Sequence, residues 1–599
     1  YGGYFLWNNG YSNPVNYIER RPWRTSETRT IAGLTLIYTP VTDLNIRLSG
    51  GYDYMDLSNS TFITSNLNAG EVINRSTGDA TWVNNWNASA TADYTRTFDQ
   101  KHRVTLLVGG ETQRSHAEKY NSINHYFING PVYEGDYETD STIVEKFIGS
   151  PDTWIFVSSF ARANYSFRDK YYVQAVARTD GSSKFGENSK FGFFPAISAG
   201  WIISDEAFLR ENRTISFLKL RAGWGKTGNA DIPGDAQYGT FSAADNGITY
   251  NGEPILYPIK LPNPDLKWET SSTLDASLEI RLWKDALQFE FSAYRKYSKD
   301  VLMNVSVPAS TGFTEYWDNV AEILNQGLEL SMTSYNFSGA FSWKTDFNVA
   351  RNYNELVSIG DYTPDAVSGG TNDSRVIPGK PVGSFFLMEF SHVDPSNGLP
   401  VYLDLNGNET YDYDNSQRKY VGDGLPDMVG GITNTFSYKG WDLTVLATYS
   451  LGAKIFDSSG KRQMGVVTDW NMRAEILDRW QQPGDDAYFP RLTLDETTYS
   501  LPSGFPWWNT SLFIFDADYV RLKNITLGYS FKLKPESKLN SLRVSANVTN
   551  LFTITNFPGL DPELVRDFEN AQDRNLSPNV TYLTPPQERS YNFSISTTF

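Results

Sequence analysis

Side chains that carry oxygen recur at alternate positions in one acidic stretch of this chain, DLNGNETYD. Asp404, Asn406, Asn408, Thr410 and Asp412 take positions 1, 3, 5, 7 and 9 of a loop with the spacing of an EF-hand. Ca²⁺ binds carboxylate, amide and carbonyl oxygens at this spacing, and position 7 contributes its backbone carbonyl. The pattern therefore predicts a structural Ca²⁺ site in a loop.

Two positions of this loop depart from the metal-binding pattern. Glu409 stands where the sharp turn favours glycine, and Asn415 stands at position 12, where a bidentate glutamate is expected. The alternative is an Asx turn, in which the carboxylate of Asp404 accepts hydrogen bonds from its own loop.

Aromatic side chains lie beside amide and carboxylate groups in two other stretches, YWDN and FPWW. Tyr316 and Trp317 precede Asp318, while Trp507 and Trp508 follow a proline. Aromatic faces next to polar groups suit sugar rings and also peptide backbones. These five residues form the predicted substrate-binding set. The alternative is packing within a loop or in an aromatic girdle at a membrane surface.

Residues for catalysis are sparse and scattered. The four histidines, His102, His116, His125 and His392, have no serine or acidic partner at a catalytic spacing. The chain has no cysteine, which excludes thiol-ligated metals, cysteine nucleophiles and disulfides. We therefore predict that the protein is not an enzyme. An outer-membrane lipase or protease would need a Ser/His/acid cluster.

Composition and charge favour a membrane barrel over a soluble domain. Aromatic residues make up 15% of the chain, yet the mean hydropathy is -0.43. This combination suits a wall one residue thick with aromatic girdles. No apolar run approaches the roughly 20 residues of a membrane helix, so strands must make any crossing. The net charge of -17 argues against nucleic acid as a partner.

Strand-like segments come in pairs that short turns and long loops join alternately. Short turns are expected at 40–43, 99–101, 168–170 and 284–286, and each lies between segments of about ten residues or more. The other connections are long: 55–84, 117–153, 228–270, 359–431 and 451–519. Long loops on one side and short turns on the other are typical of an outer-membrane barrel. About seventeen strands are predicted.

The side chains within these segments alternate between apolar and polar. In the last segment one face is apolar or aromatic and the other carries small polar groups: Tyr591, Phe593, Ile595, Thr597 and Phe599 against Ser590, Asn592, Ser594, Ser596 and Thr598. Another segment sets Phe289, Phe291, Ala293 and Arg295 against Glu290, Ser292, Tyr294 and Lys296. The pattern predicts lipid outside and a wet or filled lumen inside. A soluble, secreted all-β glycan-binding protein is the alternative.

A set of short motifs follows one order along the chain. The motifs are RTDGSSKFG at 178–186, FPAISAGW at 194–201, LKLRA at 218–222 with TGN at 227–229, NPDLKWET at 263–270, VPASTGF at 307–313, NQGLEL at 325–330, DYVRLKNITLGY at 518–529, NLFTIT at 550–555 and GLDPE at 559–563. Each motif is weak alone, and the ordered set spans most of the chain from residue 85 onward. The set resembles the SusC/RagA family of TonB-linked outer-membrane transporters of the Bacteroidetes.

The resemblance implies an all-β protein, a large antiparallel transmembrane β-barrel of 22 strands with long extracellular loops and short periplasmic turns. About seventeen strands fall in this chain. Residues 1–599 are therefore expected to be the carboxy-terminal part of the barrel, with the amino-terminal extension and the plug not present in this sequence. The expected location is the outer membrane of a Gram-negative bacterium, one of the Bacteroidetes.

The resemblance also implies a function. It implies a SusC-like component of a TonB-dependent nutrient importer that takes up oligosaccharides or oligopeptides. The implied partners are a SusD-like surface lipoprotein that acts as a lid, TonB with its inner-membrane motor proteins, outer-membrane lipid or lipopolysaccharide, and a second transporter–lid pair. A passive porin and a TonB-dependent siderophore receptor remain as alternatives.

Overall fold

A computed structural model describes most of the chain and consists largely of strands. The described residues are 15, 18, 23–63, 74–127, 144–148, 151–243, 249–251, 253–313, 315–367, 373–464, 472–492, 509–534, 539–564, 576–582 and 584–598. Short helical segments occur at Ile203–Asp205, Ala309–Thr311, Pro364–Val367, Asn415–Gln417, Gly460–Gln463, Ala474–Asp478 and Ser511–Phe513. Over these ranges no helix has the length and apolar character that a membrane crossing requires.

The strands in the first half of the chain are mostly long. They are β1 (Trp23–Val41), β2 (Leu44–Ile63), β3 (Asn74–Phe98), β4 (His102–Phe127), β5 (Val144–Ile148), β6 (Asp152–Phe167), β7 (Tyr171–Ser182), β8 (Phe191–Ile202), β9 (Ile215–Asn229), β10 (Thr240–Ala243), β11 (Thr249–Tyr250), β12 (Glu253–Pro254), β13 (Leu256–Lys260), β14 (Glu269–Leu282), β15 (Leu287–Ser306), β16 (Glu315–Phe337) and β17 (Phe341–Ser358).

The strands in the second half include many short ones. They are β18 (Ser374–Arg375), β19 (Ser384–Leu387), β20 (Glu389–Val393), β21 (Pro400–Leu403), β22 (Glu409–Thr410), β23 (Lys419–Asp423), β24 (Met428–Tyr438), β25 (Trp441–Leu451), β26 (Lys454–Asp457), β27 (Ile514–Asp516), β28 (Tyr519–Ser530), β29 (Ser541–Thr555), β30 (Val580–Thr581) and β31 (Ser590–Thr598).

Twenty of the strands in the described ranges belong to one sheet. Three of these, β5, β10 and β13, have only four or five residues. The other seventeen have nine residues or more, the shortest being β31 with nine. About seventeen strands are predicted from the sequence, and the described part of the sheet contains twenty, because three short strands accompany the seventeen long ones. The remaining strands form small separate sheets within the loops.

The chain divides into two compact units. The first unit comprises Tyr1–Ser166, Gln174–Pro195 and Gly228–Trp268. In it, β1, β2, β3 and β4 pair in sequence as antiparallel hairpins. The second unit comprises Phe167–Val173, Ala196–Thr227 and Glu269–Phe599. In it, β14 to β17 pair in sequence, followed by β24, β25, β28, β29 and β31.

Two motifs of the sequence meet around Trp268 in the first unit. Phe185 and Phe194 contact its indole ring at centroid distances of 4.7 and 5.4 Å. The backbone N–H of Gly186 donates to the carbonyl of Leu266 at 2.9 Å. A Cβ on Gly186 would lie only 1.9 Å from the Pro264 carbonyl oxygen, so a larger residue cannot occupy this position. The segments 178–186 and 263–268 therefore pack against each other, with Gly186 against the backbone at Pro264 and Leu266.

The apolar face of the second unit's strands is exposed. Phe593 is 84% and Ile595 is 75% exposed, and no second sheet or helix among the described residues covers them. The register carries this face across neighbouring strands, since Phe291 pairs with both Leu278 and Leu330. This exposure agrees with the predicted lipid-facing half of each strand.

The opposite face of these strands carries ion pairs. Arg543 donates to Asp442 at 2.6 Å, and Arg281 donates to Glu279 at 2.7 Å. Arg221 binds both Glu290 and the hydroxyl of Ser277. Charged groups on this face are consistent with a wet lumen, where water solvates the pairs.

Aromatic rings form a belt at the short-turn end of the second unit. Neighbouring rings contact each other at centroid distances of 4.8 to 6.4 Å. The belt residues are Phe337, Phe341, Trp343, Phe436, Trp441, Tyr529 and Phe531. Aromatic girdles of this kind mark the interface between the apolar band and water.

Candidate functional site

Three long loops of the second unit fold together into one structure. We call it the loop body, and it consists of residues 373–427, 452–464, 472–492, 509–518 and 576–582. It contains three small sheets of three strands each. Strands β18, β19 and β23 form the first sheet, and β20, β21 and β22 form the second. In the third sheet β26 pairs antiparallel with β27 and parallel with β30, which joins the second and third loops.

Asn579 connects all three loops. Its side-chain N–H donates to the carbonyl of Gly424 at 2.6 Å and to that of Lys454 at 3.3 Å. Its own carbonyl accepts from the backbone N–H of Phe456 at 2.9 Å. One amide side chain therefore satisfies backbone groups of two other loops, each more than a hundred residues away from Asn579 in the sequence.

The loop body has its own hydrophobic core. Met388, Phe385 and Phe456 are fully buried. The complete set of buried core residues is Phe385, Leu387, Met388, Tyr402, Tyr413, Phe456, Met464, Ile476, Phe489, Leu512, Phe513 and Val580. A core of this size fixes the loops against one another, because its apolar side chains are removed from water.

An ion pair at the edge of this core positions the loop after β26. Asp457 is 1% exposed and binds the Arg473 guanidinium through both carboxylate oxygens, at 2.5 and 3.2 Å. Arg473 also donates to the side chain of Gln463 at 2.8 Å. The backbone N–H of Gly460 donates to Asp457 at 2.9 Å. The charge of Arg473 is thus neutralised inside the protein.

A cleft opens beside this ion pair, and we call it the acidic cleft. Its inner part has a volume of about 250 Å³ and is lined by Tyr488, Phe489, Phe513 and Phe515. A second cavity of about 460 Å³ shares Arg473, Glu475 and Pro558 with it. Tyr488 donates its hydroxyl to the carbonyl of Leu512 at 3.3 Å, and burial raises the pKa of Tyr488. The floor of the cleft is therefore aromatic and neutral.

Two carboxylates line the mouth of the acidic cleft. Glu475 is half-buried and Asp478 is exposed. Neither forms an ion pair with a described residue, whereas Arg473 is neutralised by Asp457. An apolar floor with negative charge at its mouth favours ligands that combine an apolar group with a cation.

A buried ion pair fixes the segment next to the cleft to the sheet. Arg521 on β28 is 1% exposed and binds Asp561, and its Nε lies 3.3 Å from Glu563. Burial disfavours the ionised form of Asp561, but hydrogen bonds from Arg521 and from the backbone of Glu563 and Gln587 hold the pKa of Asp561 below its ordinary value. The GLDPE motif therefore supplies the carboxylates that neutralise a wall arginine.

The predicted residues Tyr316 and Asp318 lie at the start of β16, below the loops. Tyr316 packs against a buried cluster that includes Met303, Val305 and Leu356. Asp318 accepts a hydrogen bond from Tyr362 at 2.7 Å, and burial together with this bond raises the pKa of Tyr362. Trp317 is half-buried on the same strand. These contacts connect a loop to the sheet, and a role in ligand binding stays a prediction.

Trp507 and Trp508, the other two predicted aromatic residues, lie outside the described residues. Their role in substrate binding stays a prediction.

The predicted calcium loop is a closed turn in the structure. The backbone N–H groups of Asn406 and Asn408 both donate to Asp404 at 2.8 Å, and the Asn408 side chain donates at 3.1 Å. Hydrogen bonds from Asn408 and then Asn406 hold the pKa of Asp404 below its ordinary value. Thr410 accepts from the backbone N–H of Asp412 at 3.0 Å. This is the geometry of the Asx-turn alternative, and Ca²⁺ binding stays a prediction.

One histidine does meet a serine and an acid. Ser391 lies 3.1 Å and Glu409 lies 3.6 Å from Nδ1 of His392. Both contacts involve the same ring nitrogen, so the imidazole cannot pass a proton from one group to the other. His116 contacts Thr153 through Nδ1 and Glu118 through Nε2, at 2.6 and 3.1 Å. His116 thus links β4 to β6, the strand that contains Thr153.

Sequence reasoning did not find the acidic cleft. Its residues come from 457–489, 513–515 and 558, and nothing in their spacing indicates that they meet. The only local signal was the family motif that contains Asp561, because it lies next to Pro558 in the chain.

Comparison with known families and proteins gives a consistent result. A family model described as TonB dependent receptor-like, beta-barrel matches residues 1–551. TonB-dependent receptor P26 of Formosa agariphila is 27% identical over 618 residues, which covers 98% of this chain and 61% of the relative. TonB-dependent receptor SusC of Bacteroides thetaiotaomicron is 27% identical, covering 93% of this chain and 55% of the relative. The chain thus spans between half and two thirds of the length of these relatives.

Solved structures show the same fold. The structure of the RagAB peptide transporter matches with a TM-score of 0.84 at 20% identity, over 97% of this chain and 63% of that chain. The RagAB peptide importer in its closed-closed state matches with a TM-score of 0.82 at 21% identity, over 97% of this chain and 63% of that chain. These likenesses confirm the predicted antiparallel barrel fold.

Proposed function

Because this chain belongs to the TonB-dependent receptor family, with a β-barrel of the SusC/RagA type, we propose that it forms the wall, the outer loops and part of the ligand cavity of a nutrient importer. TonB-dependent receptors are outer-membrane transporters and not enzymes, and the relatives come from Bacteroidetes. The protein is accordingly an outer-membrane protein.

The observation that carries the proposal is the loop body with its acidic cleft. Three loops share one buried core, and the cleft lies among them next to the Arg521–Asp561 pair. A passive pore needs only an open lumen, whereas an importer that concentrates its substrate needs a built binding surface. The folded loops support an importer over a porin.

The proposed substrates are oligosaccharides or oligopeptides, and the cleft favours the peptides. Its aromatic floor takes an apolar side chain, and Glu475 and Asp478 attract an ammonium or guanidinium group. Neutral oligosaccharides can donate hydroxyl hydrogen bonds to these carboxylates but carry no cation for them to attract, and acidic oligosaccharides are repelled by them. RagAB is described as a peptide transporter, in agreement with this choice.

The proposed partners follow from the relatives. We infer a SusD-like surface lipoprotein above the loops, and TonB with its inner-membrane motor proteins as the source of energy. Assembly into paired transporter–lid units is part of the same proposal. The names SusC and RagAB among the matches support it. A siderophore receptor is the competing function, and it would bind an iron chelate in place of a peptide.

The test measures ligand binding to the full-length protein in neutral detergent. Titration calorimetry compares a pentapeptide with aromatic and lysine residues, an acidic pentapeptide, a neutral oligosaccharide and a ferric chelate. We expect the basic peptide to bind best. The double variant Glu475→Gln/Asp478→Asn should bind it at least tenfold more weakly, because each charge interaction contributes on the order of 1 kcal/mol.

The control is Asp486→Asn, which removes an exposed charge from the same loop outside the cleft. It should leave binding unchanged. Preference for the oligosaccharide or the chelate in the wild-type protein would contradict the peptide assignment. Equal binding of the basic peptide by the double variant and by the control would show that the cleft is not part of the ligand-binding site.

A further inference from the structure

Two arginines interrupt the lipid-facing side of the second unit. In β15 the residues Phe289, Phe291 and Ala293 alternate outward, and Arg295 is next on that face. In β17 Phe347 and Val349 alternate outward, and Arg351 is next. Both arginines are exposed. In a chain with a net charge of -17, two cations on this face are unexpected.

The position of both arginines is near the upper edge of the apolar band. Arg351 is ten residues beyond Phe341 at the short-turn end, which is about 34 Å along the strand at ~3.4 Å per residue. A strand tilt of about 40° reduces this to a height of about 26 Å, close to the ~25 Å height of the band. Arg295 is eight residues beyond Leu287, at a height of about 21 Å by the same reckoning.

Neither arginine is neutralised by a residue that the structure describes. Among the described residues, Arg295 and Arg351 form no ion pair and no side-chain hydrogen bond. The arginines of the lumen face differ, since Arg221, Arg281 and Arg543 each bind a carboxylate. An unpaired cation at the membrane interface favours an anionic partner from the lipid.

A groove runs beneath the two arginines on the same face. It has a volume of about 440 Å³, and Arg351 lies at one end. Its floor consists of the paired small residues Ala276 and Ala293, and its sides include Leu220, Phe291 and Leu328. An acyl chain fits a channel with an alanine floor and aliphatic walls, because each methylene contacts apolar atoms.

We propose that this groove and its two arginines bind a phosphorylated lipid of the leaflet at the long-loop end. The acyl chain lies on Ala276 and Ala293, and the guanidinium groups of Arg295 and Arg351 bind the phosphate. Their Cα atoms lie two strands and one side-chain row apart, a separation of roughly 12 Å. Both side chains reach into that gap, and guanidinium groups bind phosphate oxygens in pairs.

The test uses the full-length protein in neutral micelles, with dioleoyl phosphatidate as the probe. Native mass spectrometry counts the bound lipid, and thermal melting reports the stabilisation that binding gives. The wild-type protein should retain phosphatidate and melt several degrees higher with it. Dioleoyl phosphatidylcholine, whose phosphate is neutralised by choline, should have little effect.

The variant Arg295→Gln/Arg351→Gln should bind phosphatidate at least tenfold more weakly. Both positions are exposed, so the variant is expected to fold, and its melting temperature without lipid checks this. The matched control is Lys296→Gln, which removes a cation from the neighbouring position of β15 on the opposite face. It should bind phosphatidate as the wild type does.

A second variant tests the groove itself. Ala293→Phe fills the floor and should also weaken phosphatidate binding while both arginines remain. Undiminished binding by the double arginine variant would overturn the proposal, and so would equal binding of phosphatidylcholine. The same melting shift with inorganic phosphate alone would show that the acyl groove has no part, and would overturn it as well.

Discussion

The wall strands and the loop body of the second unit use the same apolar residues in opposite ways. Phe593 on β31 is 84% exposed, while Phe456 in the loop body is 0% exposed. The wall leaves its phenylalanines and leucines to be covered by lipid, whereas the loop body covers them with protein. Residue type alone therefore does not indicate burial, and the surrounding medium determines which surface is stable.

The difference also separates two sources of stability. In the wall, backbone hydrogen bonds between neighbouring long strands hold the strands together, and side chains on the outer face contribute little to protein–protein packing. In the loop body, strands of two to five residues are too short to be stable alone, and the core has to hold them. Substitutions in the two regions should consequently have different effects.

The largest expected effect is in the core of the loop body. Phe456→Ala should lower the local free energy of unfolding by about 3 to 5 kcal/mol, because the cavity it leaves loses contacts on every side. Hydrogen exchange of the full-length protein should show faster exchange in 452–464 and 576–582, with the wall strands unchanged.

The matched change in the wall is Phe593→Ala, which removes the same side chain from an exposed position. It should change the local free energy of unfolding of the loop body, as measured by hydrogen exchange, by less than about 0.5 kcal/mol. Equal effects of the two substitutions would break the distinction between lipid-covered and protein-covered residues.

The next effect concerns the two faces of the wall. Val445 lies on the apolar face of β25, paired with Ile525 and further from the aromatic belt than Leu443, while Thr444 lies on the polar face. Val445→Arg should destabilise the protein in a bilayer by about 2 to 4 kcal/mol, because a charge enters the interior of the lipid. Unfolding by urea in vesicles measures this change.

Thr444→Arg is the control on the other face, near the lumen carboxylate Asp442. It should lower the free energy of unfolding by less than half as much as the arginine on the apolar face, because water and a carboxylate surround the new cation. If Thr444→Arg were the more destabilising change, the assignment of the two faces would be wrong.

A smaller, pH-dependent effect lies where the two regions meet. The pKa of Asp561 is lower in the folded protein than in the unfolded chain, where it is about 3.9. Ionised Asp561 therefore stabilises the folded protein fully at pH values above the unfolded pKa. The contribution is lost as the pH falls through the folded pKa. Segment 556–564 should therefore lose protection against hydrogen exchange below pH 4, when the measured rates are divided by the intrinsic amide rates at each pH.

Asp561→Asn should remove this pH dependence. At pH 7 it should lower the local stability by about 1 to 3 kcal/mol, because Arg521 loses a charged partner while Glu563 remains. Protection of segment 556–564 that is independent of pH in the wild-type protein would show that the pair does not fix the segment.

The smallest effect is expected in a short turn of the wall. Gly440 has φ +93°, and a Cβ there would lie 2.8 Å from the carbonyl oxygen of Ser530. Gly440→Ala should cost about 1 to 2 kcal/mol through backbone strain and this contact. Thermal melting measures it, and Lys439→Gly in the same turn should be neutral or slightly stabilising, since Lys439 also has a positive φ of 46°.

Much of the wall could be predicted from the sequence. The alternation of Phe289, Phe291 and Ala293 against Glu290 and Ser292 gives the two faces, because side chains in a strand have a period of two. The short turns and the long segments between them predicted the number of strands, because turns also depend on residues that are neighbours in the chain. The family resemblance came from motifs such as 178–186 and 263–270, whose packing around Trp268 the structure now explains.

The sites were less predictable. Tyr316 and Asp318 have an aromatic and a carboxylate at the right spacing for a ligand, yet the structure sets them in contacts that join a loop to β16. Asp404 has the spacing of a metal ligand, and the structure shows its oxygens accepting bonds from its own loop. Spacing specifies which groups are near each other in the chain, but not which groups they contact in the folded protein.

The sequence by itself determined that this chain crosses a membrane as strands, which face of each strand meets lipid, and that charged side chains lie on the other. Those properties are local, since each depends on neighbours one or two residues away. Only the tertiary structure decided that three loops share a core, that Asp457 neutralises Arg473 beside a cleft, and that Arg295 and Arg351 lie above a groove of alanines. These arrangements join residues from separate strands and loops, and no periodicity in the chain encodes such distant contacts.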